Sequence, residues 1–297
     1  ADFIALSFVR SARDIDDVHR IMEEEGIKLP VIAKIEKPQA VANLAEIVET
    51  FDGIMVARGD LGVEMPIEEV PLVQKRCIEL ARANAKPVIV ATQMLDSMIS
   101  NSRPTRAEST DCANAVLDGA DALMLSGETS VGAFAIEAVQ TMARIIERTE
   151  EEMLDRIPPL RTAPKSKGGA ITKAASEVGQ IVNAKFLITF TQSGDSARRM
   201  SRLRSAIPMI AITPEEHVFN QLSLSWGVEP MITELVSTTD EMVRQADAII
   251  INSKRAEKGE LVVIVAGSPP GIPGSINAMR VHKVGDAVDG VVAAYRK

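Results

Sequence analysis

Short apolar runs alternate with longer amphipathic segments through the first half of the chain. The runs are continuously apolar, a pattern typical of parallel strands that are buried on both faces of a sheet. The segments between them place apolar residues at intervals of three and four, as helices do. The pattern predicts a repeated βα unit, with strands at residues 3–8, 29–35, 53–57, 86–91 and 121–126.

Two of the amphipathic segments predict helices with an assignable inward face. In residues 67–85 the predicted face consists of Val70, Val73, Cys77 and Leu80. In residues 130–151 it consists of Ile136, Val139, Met142, Ala143 and Ile146. A third helix is predicted to begin at Thr105, because Glu108 three residues later completes a capping box.

Each predicted strand ends in polar residues. They are Ser7 and Arg10, Lys34 and Glu36, Arg58 and Asp60, Thr92 and Gln93, and Ser126 and Glu128. The carboxyl ends of parallel strands share one edge, and (β/α)8 barrels build their active sites at that edge. The five polar strand ends therefore predict one functional face.

Carboxylates and a lysine at this face predict a site for a small anion. Glu36 and Asp60 suit Mg²⁺, which prefers carboxylate, water and substrate oxygens. Strand alternation places Lys34 on the same side as Glu36, where its ammonium can neutralise charge on a substrate oxygen. Backbone N–H groups in residues 58–62 can bind a carboxylate or a phosphoryl group. This set suits a substrate whose enolate or phosphate gains charge in the transition state.

Each of these residues also has an ordinary structural interpretation. Lys34 and Glu36 can form a plain ion pair. Asp60 can begin a turn, and Thr92 can bond to the backbone at a strand end. The segment 126–128 can cap a helix. All of these would have to coincide at one edge of one sheet, which favours the functional interpretation.

Composition limits the class of protein. With 297 residues, 46% of them hydrophobic, the chain can bury a sizeable core. A formal net charge of −8 argues against general nucleic-acid binding. Cys77 and Cys112 lack CxxC spacing, which predicts reduced thiols and a cytoplasmic protein. No apolar run is long enough for a membrane helix. The chain lacks an initiator Met and runs almost directly into a strand, so we expect a longer natural protein.

Residues 156–170 are rich in Pro, Lys and Gly and predict a linker. We therefore expect one domain at 1–157 and a second α/β domain at 158–297. The second domain has predicted strands at 185–190, 208–213, 229–233, 261–268 and 278–284, with helices near 169–182, 196–204, 215–226 and 239–252. The loop at 191–196 can hold a phosphate or simply cap a helix. Asp195 counts against the phosphate.

Five stretches resemble the successive active-face motifs of pyruvate kinase, in that family's order and spacing. They are IAKIEK, GIMVARGDLGVE, VIVATQMLDSM, RPTRAE and ALMLSGETSVG. The resemblance covers essentially the whole chain. It implies a glycolytic transferase that moves a phosphoryl group from phosphoenolpyruvate to ADP, giving pyruvate and ATP.

The resemblance also implies roles for single residues. Glu36 and Asp60 would hold Mg²⁺ or Mn²⁺, and Lys34 would stabilise the transferring phosphoryl group and the enolate. The backbone of Gly59 and Asp60 would hold the substrate carboxylate, with Ser7 near the phosphate.

Further residues follow from the same motifs. Thr92 would lie beside the methyl carbon that gains a proton, and Ser126 and Glu128 would take part in the proton supply. Arg58 and Arg106 would lie at or near a subunit interface.

The fold implied by the resemblance is a partial (β/α)8 TIM barrel, strands 4–8, followed by a smaller α/β domain with a mostly parallel five-stranded sheet. In the family the other three strands, a lid domain, the K⁺ ligands and most nucleotide contacts precede the matched part. K⁺ is therefore expected, with ligands outside this chain. The resemblance further suggests a homotetramer.

The second domain is similar to the family's regulatory domain. The effector loop corresponds to Thr191, Gln192, Ser193, Gly194 and Ser196, and a glycine-rich loop that folds over the ligand contains Gly271 and Gly274. This implies allosteric control by a phosphorylated effector, either a sugar phosphate or a nucleotide.

Two other functions fit part of the pattern. A Mg²⁺-dependent enolpyruvate lyase or aldolase would use the same metal, lysine and amides, but would need an aldehyde and no ADP. A non-catalytic fragment would keep only effector binding by residues 160–297.

Overall fold

Two five-stranded sheets organise the part of the chain that the structure describes. A computed structural model describes residues 1–268, 270, 272 and 274–287. The chain divides into one unit at residues 1–160 and another at residues 161–297.

The sheet of the first unit is entirely parallel, in the order β1-β2-β3-β4-β5. Its strands are Ile4–Leu6 (β1), Val31–Ile35 (β2), Gly53–Ala57 (β3), Val88–Ala91 (β4) and Ala122–Met124 (β5). All residues of β3 and β4 are buried, which explains why these strands are continuous apolar runs. The five predicted strands of this unit are confirmed.

Helices alternate with these strands. They are Ile15–Glu25 (α1), Pro38–Ala42 (α2), Leu44–Thr50 (α3), Arg58–Glu64 (α4), Val70–Ala83 (α5), Arg106–Asp118 (α6), Gly127–Ser130 (α7) and Ala135–Met153 (α8). The predicted capping box of α6 is confirmed, with Thr105 accepting the N–H of Glu108. On α5 the predicted face points inward, because Val70, Val73 and Cys77 are buried and Leu80 packs against the core.

The predicted inward face of α8 is confirmed only in part. Met142 is buried and Ile146 packs against the core, but Ile136 is 71% exposed and Val139 is 52% exposed. The helix also buries Ala138 and Thr149, which the prediction did not include. The apolar arc of α8 is wide enough to contain both rows, so hydrophobic spacing alone does not identify the row that faces the sheet.

Two aspartates fasten the amino ends of the strands. Asp52, just before β3, accepts the N–H of Val31 at 2.9 Å, and Asp121, just before β5, accepts the N–H of Val88 at 3.0 Å. Each carboxylate satisfies the first N–H of the neighbouring strand. These contacts at the amino edge of the sheet are structural. In barrels of this class the active site lies at the opposite, carboxyl edge.

The second unit contains a mixed sheet in the order β10-β9-β6-β7-β8. Its strands are Phe186–Phe190 (β6), Met209–Thr213 (β7), Val228–Ile232 (β8), Leu261–Gly267 (β9) and Ile276–Lys283 (β10), and only β10 is antiparallel to its neighbour among the described strands. Its helices are Lys167–Ile181 (α9), Asp195–Ser201 (α10), Glu216–Leu222 (α11) and Thr239–Ser253 (α12). These elements confirm the predicted mostly parallel, five-stranded α/β arrangement.

A buried hydrogen bond joins β10 to α12. Nε2 of His282 lies 2.7 Å from Oδ1 of Asp247, and both side chains are almost fully buried. Oδ2 of Asp247 accepts the N–H groups of Gly285 and Ala287. His282 is therefore a structural residue of this unit.

Both cysteines are free and buried. Burial raises the pKa of the Cys77 thiol and of the Cys112 thiol to about 12. The two thiols therefore stay protonated at neutral pH and are poor nucleophiles. Among the residues that the structure describes, no helix combines the length and apolarity that a bilayer crossing requires.

Candidate active site at the carboxyl edge of the first sheet

Lys34, Glu36 and Ser7 form one cluster where β1 and β2 end. Nζ of Lys34 lies 2.5 Å from Oε1 of Glu36 and donates to Oγ of Ser7 at 2.9 Å. Glu36 is only 2% exposed, whereas the lysine side chain is 25% exposed. The predicted same-side placement of the lysine and the glutamate is confirmed, and the ammonium reaches the surface of the site.

The second oxygen of the Glu36 carboxylate holds the loop after β1. Oε2 accepts the N–H of Phe8 at 2.9 Å, and Phe8 has a positive φ of 59°. A non-glycine residue in this conformation is uncommon and needs support from its surroundings. Glu36 supplies that support, so one carboxylate organises both Lys34 and the backbone beside Ser7.

Gly59 and Asp60 lie in the first turn of α4, which begins directly after β3. The side chain of Asp60 is exposed, and Asp60 has no side-chain hydrogen bond or ion pair with any described residue. The N–H of Gly59 donates to Oγ1 of Thr92 at 2.7 Å, and a Cβ at Gly59 would lie 3.1 Å from that oxygen. A glycine therefore permits the close approach of α4 to the end of β4.

The chain leaves β4 through two consecutive left-handed residues. Thr92 has φ of 69° and Gln93 has φ of 53°. For a β-branched threonine this is a genuine outlier, and each such residue costs on the order of 1–3 kcal/mol. The hydroxyl of Thr92 faces α4 as a result.

Arg58 fills the space behind this turn. Its Nη2 donates to the carbonyl oxygens of Thr92 at 2.9 Å and Gln93 at 3.2 Å. Its Nη1 contacts both carboxylate oxygens of Asp111, on α6, at 2.9 and 2.7 Å. The Arg58 side chain is only 12% exposed. Within one chain, its guanidinium links the end of β3, the turn after β4 and α6.

Glu128 braces the end of β5. It is 1% exposed, and its carboxylate accepts the N–H of Leu95 at 3.1 Å and the N–H of Ser126 at 2.7 Å. Ser126 itself is half-buried at the same edge of the sheet. The contacts of Glu128 are those of a residue that orders the loops around the site.

The two arginines predicted at an interface have different surroundings. Arg58 is enclosed by its own chain, as described above, while Arg106 is exposed at the start of α6. Their role between subunits stays a prediction.

Glu36 and Asp60 supply carboxylate oxygens, the ligand type that a hard divalent cation prefers. Asp60 offers an exposed carboxylate, and each oxygen of Glu36 has a single described partner, so lone pairs are left on both. Among the described residues, no group of three or more His, Cys, Asp and Glu side chains is arranged to hold a metal. Two carboxylates with water and substrate oxygens are the set that Mg²⁺ takes in phosphoryl-transfer sites.

An open pocket lies in the second unit. Of the predicted effector residues, those that line it are Thr191, Gln192, Ser193, Ser196 and Gly274. Gly194 is not in the lining but caps α10 with φ of 77° and donates its N–H to Thr191 Oγ1 at 2.9 Å. Gly271 lies outside the described residues.

The charges around this pocket are acidic or already paired. Asp195 and Glu234 line it, and none of its described lining residues is a lysine or an arginine. Nε of Arg199 lies 2.6 Å from Oδ2 of Asp195, which offsets the charge of the carboxylate that counted against phosphate binding.

Sequence reasoning missed two residues of the first site. Asp111 lies within a helical pattern, and nothing in its spacing indicates that it binds Arg58. Phe8 is predicted to end a strand, but it is 65% exposed in a left-handed conformation, with Lys37 Nζ 5.4 Å from its ring centroid. Neither feature has a local sequence signal, because both depend on contacts between distant segments.

Comparison with known proteins identifies the family of the chain. A family model described as the barrel domain of pyruvate kinase matches residues 1–139, and one described as its alpha/beta domain matches residues 169–282. The chain therefore belongs to the pyruvate kinase family.

Curated relatives agree with the family models. A pyruvate kinase of Mycobacterium tuberculosis is 57% identical over 285 residues, which are 96% of this chain and 60% of the relative. A pyruvate kinase of Corynebacterium glutamicum is 56% identical over the same shares. The crystal structure of a pyruvate kinase from Cryptosporidium parvum is similar with a TM-score of 0.85 and 37% identity, covering 95% of this chain and 58% of that one. The chain thus spans about 60% of the length of these two curated relatives.

Proposed function

We propose that the intact protein is a pyruvate kinase, which transfers a phosphoryl group from phosphoenolpyruvate to ADP and releases pyruvate and ATP. The observation that carries this proposal is the position of Lys34, Glu36, Asp60 and Thr92 at the carboxyl ends of neighbouring strands of one sheet, in a chain of the pyruvate kinase family. In this proposal the first sheet supplies strands 4–8 of an eight-stranded barrel, domain 1–157 is catalytic and domain 158–297 is regulatory.

Lys34 is the proposed electrostatic centre. Its ammonium is held between Ser7 and Glu36, and its side chain is partly exposed, so it can face an anionic substrate. Negative charge that develops on the transferring phosphoryl group and on the enolate oxygen is neutralised there. Preorganised charge of this kind usually contributes more to the rate enhancement than any other single effect.

Glu36 and Asp60 are the proposed ligands of Mg²⁺ or Mn²⁺. When bound, the cation supplies a Lewis acid that offsets charge on phosphoryl and enolate oxygens. K⁺ would bind through residues that precede this part of the family's sequence.

Thr92 is the proposed group beside the carbon that gains a proton. Its Oγ1 accepts the N–H of Gly59, which leaves the hydroxyl hydrogen available for donation. Ser126, held through its N–H by Glu128, lies at the same edge and is proposed to take part in the proton supply. A proton delivered to the methylene carbon turns the enolate into pyruvate.

The test is turnover of the intact gene product with phosphoenolpyruvate, ADP and Mg²⁺. Asp60→Ala is expected to lower kcat by at least about a hundredfold, because it removes one of two metal carboxylates. Asp16→Ala is the matched control, since Asp16 is also an exposed aspartate in a first helical turn. Near-normal turnover of Asp60→Ala would refute the metal assignment. Carbon–carbon cleavage that needs no ADP would favour a lyase instead.

The pocket of the second unit is the proposed effector site, for a sugar phosphate or a nucleotide. Its hydroxyls and backbone N–H groups would bind the phosphoryl group, while Ile212, Val236 and Ile272 cover the rest of the ligand. The absence of a basic side chain among its described lining residues favours a ligand with one phosphate over a bisphosphate.

Three further features belong to the proposal. The protein is expected to be cytoplasmic, which the two free thiols support. It is expected to assemble as a homotetramer, with Arg58 and Arg106 at or near an interface. Nucleic acid and membranes are not expected partners.

A further inference from the structure

We propose that Arg58 and Asp111 form a clamp that positions Thr92, so that Arg58 acts on proton transfer through Thr92 and not through direct contact with the substrate. The inference rests on the proposed function, in which Thr92 adjoins the carbon that is protonated. It starts from the strained turn at residues 92–93 and from the single guanidinium that touches its backbone among the described contacts.

The turn requires a cation behind it. Because Thr92 and Gln93 are both left-handed, their carbonyl oxygens converge on Nη2 of Arg58 at 2.9 and 3.2 Å. Two carbonyl dipoles that point at one place repel each other unless a donor lies between them. With Arg58 in place, both oxygens are satisfied and the left-handed pair is stabilised.

Asp111 fixes the guanidinium in turn. Its carboxylate binds Nη1 through both oxygens, and Nη1 also lies 3.4 Å from Oε1 of Gln74 on α5. The planar guanidinium is thereby held by α6 on one edge and donates to the turn with the other edge. A lysine could neutralise Asp111, but it could not bridge to both carbonyl groups in one geometry.

Arg58 and Gly59 hold Thr92 at two different groups. Arg58 holds its backbone, and the next residue, Gly59, donates its N–H to its hydroxyl at 2.7 Å. The register explains this, since Ala57 pairs with Ala91 and the residues that follow lie side by side. Thr92 is thus fixed at its carbonyl and at its hydroxyl by two consecutive residues. Among the described bonds, neither Lys34 nor Glu36 contacts Thr92.

The first test is a double-mutant cycle on the intact gene product, read as deuterium uptake into the methyl group of pyruvate. Arg58→Lys and Thr92→Val are each expected to slow uptake by about a hundredfold, as a small misplacement of a reacting group does. The double variant is expected to be no slower than the slower single variant, because both changes remove the same positioned hydroxyl. Asp111→Asn is expected to resemble Arg58→Lys. The KM for phosphoenolpyruvate is expected to change little in all of them.

Arg82→Lys is the matched control. Arg82 is also buried and also donates to a backbone carbonyl, that of Pro158, but it lies in the last turn of α5, at the amino edge of the sheet. Its variant is expected to keep the wild-type rate of uptake. Additive effects of Arg58→Lys and Thr92→Val would overturn the clamp and leave Arg58 with a general structural role.

A second measurement does not depend on activity. The N–H of Gly59 is protected by Thr92, so Arg58→Lys is expected to raise its amide hydrogen exchange at least about tenfold, as Thr92→Val does, while Thr92→Ser keeps the protection. Unchanged protection in Arg58→Lys would contradict the clamp. If the wild-type protein neither turns over nor enolises pyruvate, the proposed function fails, and the exchange at Gly59 still decides whether the clamp exists.

Discussion

A buried carboxylate with two different duties is the central residue of the first site. One oxygen of Glu36 pairs with the ammonium of Lys34, and the other accepts a hydrogen bond from the backbone N–H of Phe8. Breaking a buried pair by removing one partner costs more than replacing both, because the remaining charge has no compensation.

Lys34→Met is therefore expected to lower the stability of the protein as well as its activity. The free energy of unfolding, measured in urea, is expected to fall on the order of 3 kcal/mol, since the Glu36 carboxylate stays buried without its cation. Lys34→Met combined with Glu36→Gln is expected to regain most of that loss and to remain inactive. A double variant no more stable than the single one would show that the pair does not carry this energy.

At the scale of single residues, the sequence predicts which residues share a site better than it predicts the contacts that hold them. Alternation alone places Lys34 and Glu36 on one side of β2, and their contact confirms it. The left-handed turn at Thr92 has no comparable signal, because neither threonine nor glutamine favours positive φ. It exists because Arg58, more than 30 positions earlier, bonds to its carbonyl groups.

Among the elements, α6 shows how a local signal acts over a longer distance. Its capping residue Glu108 also accepts the N–H and the hydroxyl of Ser97, in the loop that follows β4. Burial opposes the ionised form, but these bonds and those from Thr105 together lower the pKa of Glu108 below its ordinary value of 4.5. The start of α6 therefore fixes the loop that leads away from Thr92.

The lowered pKa gives a prediction with a definite sign. A carboxyl whose pKa is lower in the folded state adds stability above its ordinary pKa, and the contribution is lost as the pH falls through the folded-state value. Glu108→Gln is therefore expected to flatten the loss of stability below about pH 4.5, measured by urea unfolding across the acid range. An acid limb as steep as that of the wild-type protein would contradict this linkage.

Thr105, which forms the capping box with Glu108, gives a second prediction at neutral pH. Thr105→Ala is expected to cost about 1 kcal/mol of unfolding free energy, because the N–H of Glu108 loses its acceptor. Thr110→Ala, also on α6 but bonded only within the helix, is the control and should change stability by much less. Equal losses for the two variants would contradict the capping role.

Element type and position could be predicted from hydrophobic pattern, but the orientation of α8 only in part. The prediction includes Met142, which is buried, but only the packed structure shows that the helix buries Ala138 in preference to Ile136 and Val139. The strands are easier to predict, because every residue of a central parallel strand is buried and no face has to be chosen.

Viewed as a whole molecule, the chain carries the proposed catalytic edge and the proposed effector pocket in separate units. A ligand that binds only the folded pocket stabilises the protein by mass action, by about 2.7 kcal/mol at a hundredfold excess over its Kd. A hexose monophosphate or a nucleoside monophosphate is expected to raise Tm in a thermal melt, and a hexose bisphosphate to raise it less.

Charge reversal at the pocket checks this effector prediction. Ser193→Glu adds a carboxylate to a lining that already contains Asp195 and Glu234 and should abolish the shift. Ser223→Glu, an exposed serine outside the lining, is the control. A full shift that survives in Ser193→Glu would place effector binding elsewhere.

The edge formed by Lys34, Glu36, Asp60 and Thr92 is, in our interpretation, an enolate site. Deuterium exchange into the methyl group of pyruvate, followed by NMR on the intact gene product with and without Mg²⁺ and inorganic phosphate, tests this without involving ADP. We expect metal-dependent exchange that is lost in Lys34→Met and in Asp60→Ala while both variants stay folded. Exchange that ignores the metal, or no exchange from a folded wild-type protein, would contradict the interpretation.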